Sequence, residues 1–100
     1  MAGAADLASK IDSTESFDTV TSGADYDAIF VPGGHGPVFD MVEDQKLQKV
    51  LAEAFDSGKV VSSVCHGPIV FSHVVSGKSG KPIVAGRKVC CALLALRTNL

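Results

Sequence analysis

Two short apolar runs, each cut off by a turn and separated by an amphipathic stretch, limit what this chain can fold into more than any other feature. Ala28-Ile29-Phe30-Val31 lies between Asp27 and Pro32, and Val60-Val61-Ser62-Ser63-Val64 stops at Cys65. Runs of this length bounded by turn residues fit strands buried on both faces, as in a parallel sheet. Between them, Asp44 to Ser57 places Leu47, Val50, Leu51, Ala54 and Phe55 at i, i+3, i+4, i+7 and i+8. That spacing is a helix with one apolar side. Asp44 stands where an N-cap belongs and Gly58 where a helix stops. Strand, helix, strand predicts an α/β fold with a parallel sheet.

The rest of the chain is less regular. Residues 1–24 are rich in Asp, Ser and Thr, with isolated apolar residues such as Leu7 and Ile11. They read as a poorly structured segment with a short helix near Asp6–Lys10. After the second strand, Gly67 to Val75 reads as a helix with Ile69, Val70, Phe71 and Val74 on its inner side. Gly77 to Pro82 reads as a loop, and Ile83–Ala85 and Arg87–Val89 as two short strands broken at Gly86. Residues 90–100 form an apolar tail that contains Cys90 and Cys91.

Both strands end in residues that can carry chemistry. Val64-Cys65-His66-Gly67-Pro68 puts a cysteine on the turn between a strand and a helix, the arrangement of a nucleophile elbow with sulfur in place of hydroxyl. Thiolate is the reactive form of cysteine, and a neighbouring imidazole favours it. The alternative is a buried structural cysteine, because free Cys is among the most buried residue types. His66 has two candidate roles, its ring as general base or its backbone N–H as an oxyanion donor. Equally, it is a helix-start histidine bonded only locally. Pro32-Gly33-Gly34-His35-Gly36-Pro37 lies at the carboxyl end of the first strand, where open α/β folds place ligands. Its glycines admit close backbone approach, and His35 either lines the pocket or is solvated. Gly67 lets the chain turn closely behind the cysteine. The acidic residues Asp25, Asp27, Asp40, Glu43 and Asp44 read as surface or capping groups.

Composition bounds the partners. One hundred residues make one small domain, which buries only about 60–65% of the surface its unfolded chain exposes. The net charge of -2, with nine scattered basic residues, argues against nucleic acid and anionic membrane as partners. The N-terminus lacks the pattern of a secretory signal, and the run from Val89 to Leu96 is too short to span a bilayer. Cytoplasm is the default location. Three cysteines with no C-x-x-C spacing suggest neither a disulfide framework nor a metal site.

Taken together, the stretch Asp25 to Pro37 and the stretch Val64 to Pro68 resemble the ThiJ/PfpI family of the class I glutamine amidotransferase-like superfamily. The likeness is to its heat-shock-type, glutathione-independent glyoxalases, also called D-lactate dehydratases. It runs from about Asp25 to Val89, roughly two-thirds of the chain. The resemblance implies a flavodoxin-like three-layer sandwich with a parallel sheet, here incomplete. It implies a lyase-type conversion of methylglyoxal or another small 2-oxoaldehyde to a 2-hydroxy acid, with no cofactor. Cys65 would form a hemithioacetal, His66 would assist proton transfer, and Gly34 and His66 would offer backbone N–H groups to the oxyanion. Other members act as chaperones, deglycases, peptidases or oxidative-stress proteins, so a non-enzymatic role with a redox-sensitive Cys65 is the alternative. Glutaminase chemistry would need a histidine and an acid further downstream.

Two departures from the family pattern stand out. No strand and no matching catalytic glutamate precede Asp25, and Glu15 is not carried over to that role. After Val89 the likeness ends. The expectation is a chain truncated at both ends, with the 90–100 tail arising from a shifted reading frame or an alternative exon. The Ala28–Val31 strand would then lie at an exposed edge. That predicts low solubility, a homodimer, or dependence on a partner subunit.

Overall fold

The computed structural model describes residues 3–91. The expected strand–helix–strand unit is present as β1 (Ala28–Val31), α2 (Gln45–Asp56) and β2 (Val60–Ser63), preceded by a first helix, α1 (Ala4–Asp12). β1 and β2 pair in parallel, with Ala28 opposite Val60 and Val31 opposite Ser63. The described part is thus a two-stranded piece of a flavodoxin-like α/β fold.

α2 forms for the reasons its sequence gives. The Asp44 carboxylate accepts a hydrogen bond from the Leu47 N–H at 3.0 Å and caps the first turn. Gly58 ends the helix in the left-handed region at a φ of 76°. Leu47, Val50, Leu51 and Ala54 are all buried, and Phe55 is half-buried. Leu51 is at the centre of a core with Val31, Val70, Phe71, Val74 and Ile83.

Burial of the strands on both faces is not what the structure has. Side chains alternate across a strand. Val31 is buried and Ile29 and Val61 pack against the core, whereas Phe30 is 59% exposed and Val60 60% exposed. α2 covers one face of the sheet, and among the described residues no element closes the other. An apolar run records that a strand is apolar, not how many layers flank it.

One further expectation is refined and one corrected. The helix after the elbow is present, but as a 3-10 helix over Gly67–His73 that stops two residues short of Val75. Pro68 has no N–H to give, β-branched Ile69 and Val70 favour helix weakly, and the Ser72 hydroxyl bonds back to the Ile69 carbonyl at 2.7 Å. Val70, Phe71 and Val74 still face inward, with Ile69 half-buried. Ile83–Ala85 and Arg87–Val89 are not strands. The Ala85 N–H bonds to the Pro82 carbonyl and the Arg87 N–H to the Val84 carbonyl, so turns consume those donors. The strand-like contact is instead an isolated antiparallel bridge between Val75 and Pro82. The N-terminal helix is real and longer than Asp6–Lys10, although Leu7 and Ile11 on it are exposed. The 90–100 tail lies outside the described residues from Ala92 onward.

The loop after the 3-10 helix is fixed to α2 by one carboxylate. The buried Ser76 hydroxyl donates to Asp56 Oδ1 at 2.5 Å, and the Gly77 N–H donates to Oδ2 at 2.8 Å. The Ser76 hydroxyl, and after it Gly77 and the Lys78 ammonium, hold the Asp56 carboxyl below its ordinary range against an opposing effect of burial. A carboxylate depressed in the folded state contributes stability that is present above the ordinary carboxylate pKa and lost as pH falls through that range. Urea midpoints should therefore decline on acidification below about pH 4, and Asp56→Asn should flatten that acid limb. In the same assay Leu51→Ala should cost about 2–5 kcal/mol, while Ile11→Ala on the exposed face of α1 should cost almost nothing.

Candidate active site

β2 ends at Ser63, and two residues later the chain turns back on itself. Cys65 sits on that turn at a φ of 61°, the left-handed region that a non-glycine residue enters at a cost of about 1–2 kcal/mol. It is the only non-glycine residue among the described ones with positive φ. The Gly67 N–H returns to the Val64 carbonyl at 2.9 Å and closes the turn. The thiol is therefore exposed, as an elbow requires, and the buried structural reading of Cys65 does not hold.

The surroundings hold the elbow in place. A Cβ on Gly67 would come within 2.7 Å of the Val31 carbonyl oxygen and 2.9 Å of that of Pro32, so only glycine lets the chain pass under the end of β1. The Ser63 hydroxyl donates to the same Val31 carbonyl at 2.8 Å. A Cβ on Gly33 would lie 2.6 Å from Cys65 Cβ and 3.4 Å from Sγ. The glycine turn and the elbow are thus in contact, as expected from their places at the same end of paired strands.

His66 stands directly beside the thiol. Its Nδ1 is 3.2 Å from Cys65 Sγ. Consecutive side chains normally diverge, and the left-handed backbone at Cys65 is what brings these two together. The pair is complementary in either state: a thiol donates to a bare ring nitrogen, and a thiolate accepts from Nδ1–H. The ring also packs against His35, with centroids 4.8 Å apart and a 41° tilt. His35 is itself exposed, so it touches His66 while still facing solvent. Among the described residues, the backbone N–H groups of Gly34 and His66 have no hydrogen-bond acceptor in the protein. No carboxylate there bonds to Cys65 or His66.

The structure adds one residue that the sequence reading left in the tail. The Cys91 thiol points at the His66 carbonyl at 3.8 Å, within the longer reach of sulfur. A Cys-Cys pair far along the chain carries no spacing signal for such a contact. The segment behind Cys65 is a seven-residue 3-10 helix, which offers the thiol little of the dipole a long α-helix would.

Fold and site together define an α/β protein with an exposed cysteine on a strained turn at the end of a parallel strand. The sequence profile of the DJ-1/PfpI family matches residues 2–91, and the chain belongs to that family. It is 43% identical over 65 residues to Glyoxalase 3 of Candida albicans, covering 65% of this chain and 28% of that protein. It is 37% identical to the glutathione-independent glyoxalase HSP31 of Saccharomyces cerevisiae, over 65% of this chain and 27% of that one. The crystal structure of glyoxalase III from Candida albicans superposes with a TM-score of 0.59 at 41% identity, over 64% of this chain and 27% of that chain. The chain thus spans less than a third of the length of these relatives. No helix among the described residues is long and apolar enough to cross a membrane.

The close contact between the two turns gives a direct test. Gly33→Ala should lower stability in urea by about 1–3 kcal/mol, because the added methyl has to displace the Cys65 side chain. Gly36→Ala, with open space around it and no positive φ, should leave the midpoint nearly unchanged. Equal effects of the two would contradict the contact.

Proposed function

We propose that this chain carries the nucleophile half of a glutathione-independent glyoxalase site, acting on methylglyoxal or a related small 2-oxoaldehyde. The observation that carries the reading is the 3.2 Å approach of His66 Nδ1 to Cys65 Sγ at a left-handed Cys65. The names of the relatives supply the reaction class.

The sulfur of Cys65 adds to the aldehyde carbon, and the carbonyl electron pair moves to oxygen. The N–H groups of Gly34 and His66 lie unengaged on the two turns and are the donors for that oxyanion. Protonation gives a hemithioacetal. His66 then takes the proton from C1, leaving an enediol, and C2 is reprotonated to give a 2-hydroxyacyl thioester. A positioned base of this kind contributes about 10²–10⁴-fold. Water cleaves the thioester, releases the thiol and gives the 2-hydroxy acid, so the net change is the addition of one water. Gly33 and Gly67 shape the wall, and His35 holds the His66 ring. A carboxylate to share the proton work would come from a partner subunit. A reactive free thiol suits a reducing compartment such as the cytoplasm.

Mass spectrometry and lactate assay test this together. Methylglyoxal without glutathione should give an adduct on Cys65 and slow lactate release, both lost in Cys65→Ser. His66→Ala should keep the adduct and lose the lactate. Lactate formed equally by wild type and Cys65→Ser would overturn the reading.

A further inference from the structure

The approach of a second cysteine to the elbow has no part in aldehyde chemistry. Cys65 Sγ lies 3.2 Å from the His66 ring, and Cys91 Sγ lies 3.8 Å from the His66 carbonyl. One residue thus touches both sulfurs. Cys65 is exposed and Cys91 half-buried, so an oxidant meets Cys65 first. Residues 88–91 lie outside every described helix and strand. The chain bearing Cys91 is not tied into a ladder that would resist a shift towards Cys65.

We propose that Cys91 is the resolving thiol for an oxidised Cys65, so that hydroperoxides convert the elbow to a Cys65–Cys91 disulfide. In the first step the Cys65 sulfur attacks the O–O bond of a hydroperoxide. It becomes sulfenic acid, and the hydroperoxide leaves as the alcohol, or as water from hydrogen peroxide. In the second step the Cys91 sulfur attacks the sulfenic sulfur, the S–O bond breaks, and the hydroxyl leaves as water with the Cys91 proton. The two thiols lose two electrons in all and the hydroperoxide gains them. A sulfenic acid with a resolving thiol nearby is kept from the irreversible sulfinic state. Closure brings the two Cα atoms to about 4.4–6.8 Å, which the 88–91 segment has to supply. The bond blocks the nucleophile reversibly.

The inference stands on the thiol geometry and does not depend on aldehyde turnover. The reduced chain is treated with hydrogen peroxide, blocked with iodoacetamide and digested with trypsin. Cleavage after Lys59, Lys78, Lys88 and Arg97 puts Cys65 in one peptide and Cys90 with Cys91 in another. Wild type and Cys90→Ser should both give the two peptides linked, lighter by two hydrogens than their sum and released by dithiothreitol. Cys91→Ser should lose the link and show a several-fold rise in dimedone-trapped sulfenic acid, followed by sulfinic acid, at Cys65. The preference for Cys91 over Cys90 should vanish when oxidation is done in urea. Linkage at wild-type yield in Cys91→Ser, or sulfinic acid without linkage in Cys90→Ser, would overturn the proposal. So would equal use of Cys90 and Cys91 in the native chain.

Discussion

The fold and the site both depend on one close approach, that of the Gly67 backbone to the carbonyl end of β1. The Val31 carbonyl receives the Ser63 hydroxyl and stands so near Gly67 that any side chain there would strike it. This contact sets how sharply the chain leaves β2. The sharp exit forces Cys65 into the left-handed region, and that backbone in turn brings its sulfur to the His66 ring. The strain at Cys65 is small beside the burial energy of the core below it. Leu51, Val70 and Val74 are completely buried there, and each full burial is worth about 1.5–3 kcal/mol.

The sheet is organised to serve that end of the molecule. α2 covers the face that carries Ile29, Val31 and Val61, and the parallel register brings the two strand ends side by side. The glycine turn and the elbow then meet without any further element. The opposite face, with Phe30 and Val60, remains apolar and exposed in the described residues. A small α/β unit of this kind can hold a well-formed, strained turn while leaving much of its sheet uncovered in the described residues.

Much of this was legible in the sequence because the signals were local. The cap at Asp44, the stop at Gly58, the period of α2 and the elbow order around Cys65 each depend on neighbouring residues. What failed depended either on partners far along the chain or on local competition that apolar spacing does not record. The apolar runs gave no sign that one face would be open, since burial is decided by what packs on a strand. The segment after Gly67 looked helical by its apolar spacing, but Pro68 and the β-branched pair drew it into a 3-10 form. Ile83–Ala85 had strand-like residues, yet turn hydrogen bonds took up the donors a ladder needs. Cys91 looked like part of an apolar tail, and only the fold brings it to His66.

The central claim is that the strained turn makes Cys65 chemically different from an ordinary exposed thiol. Cys90 is a built-in reference, because it is also exposed. Competitive alkylation with isotope-coded iodoacetamide, read in the same molecule, compares the two directly. The account predicts that Cys65 reacts faster than Cys90 in the native chain, that His66→Ala shrinks the difference, and that urea removes it. Equal rates at Cys65 and Cys90 in the native chain would contradict it.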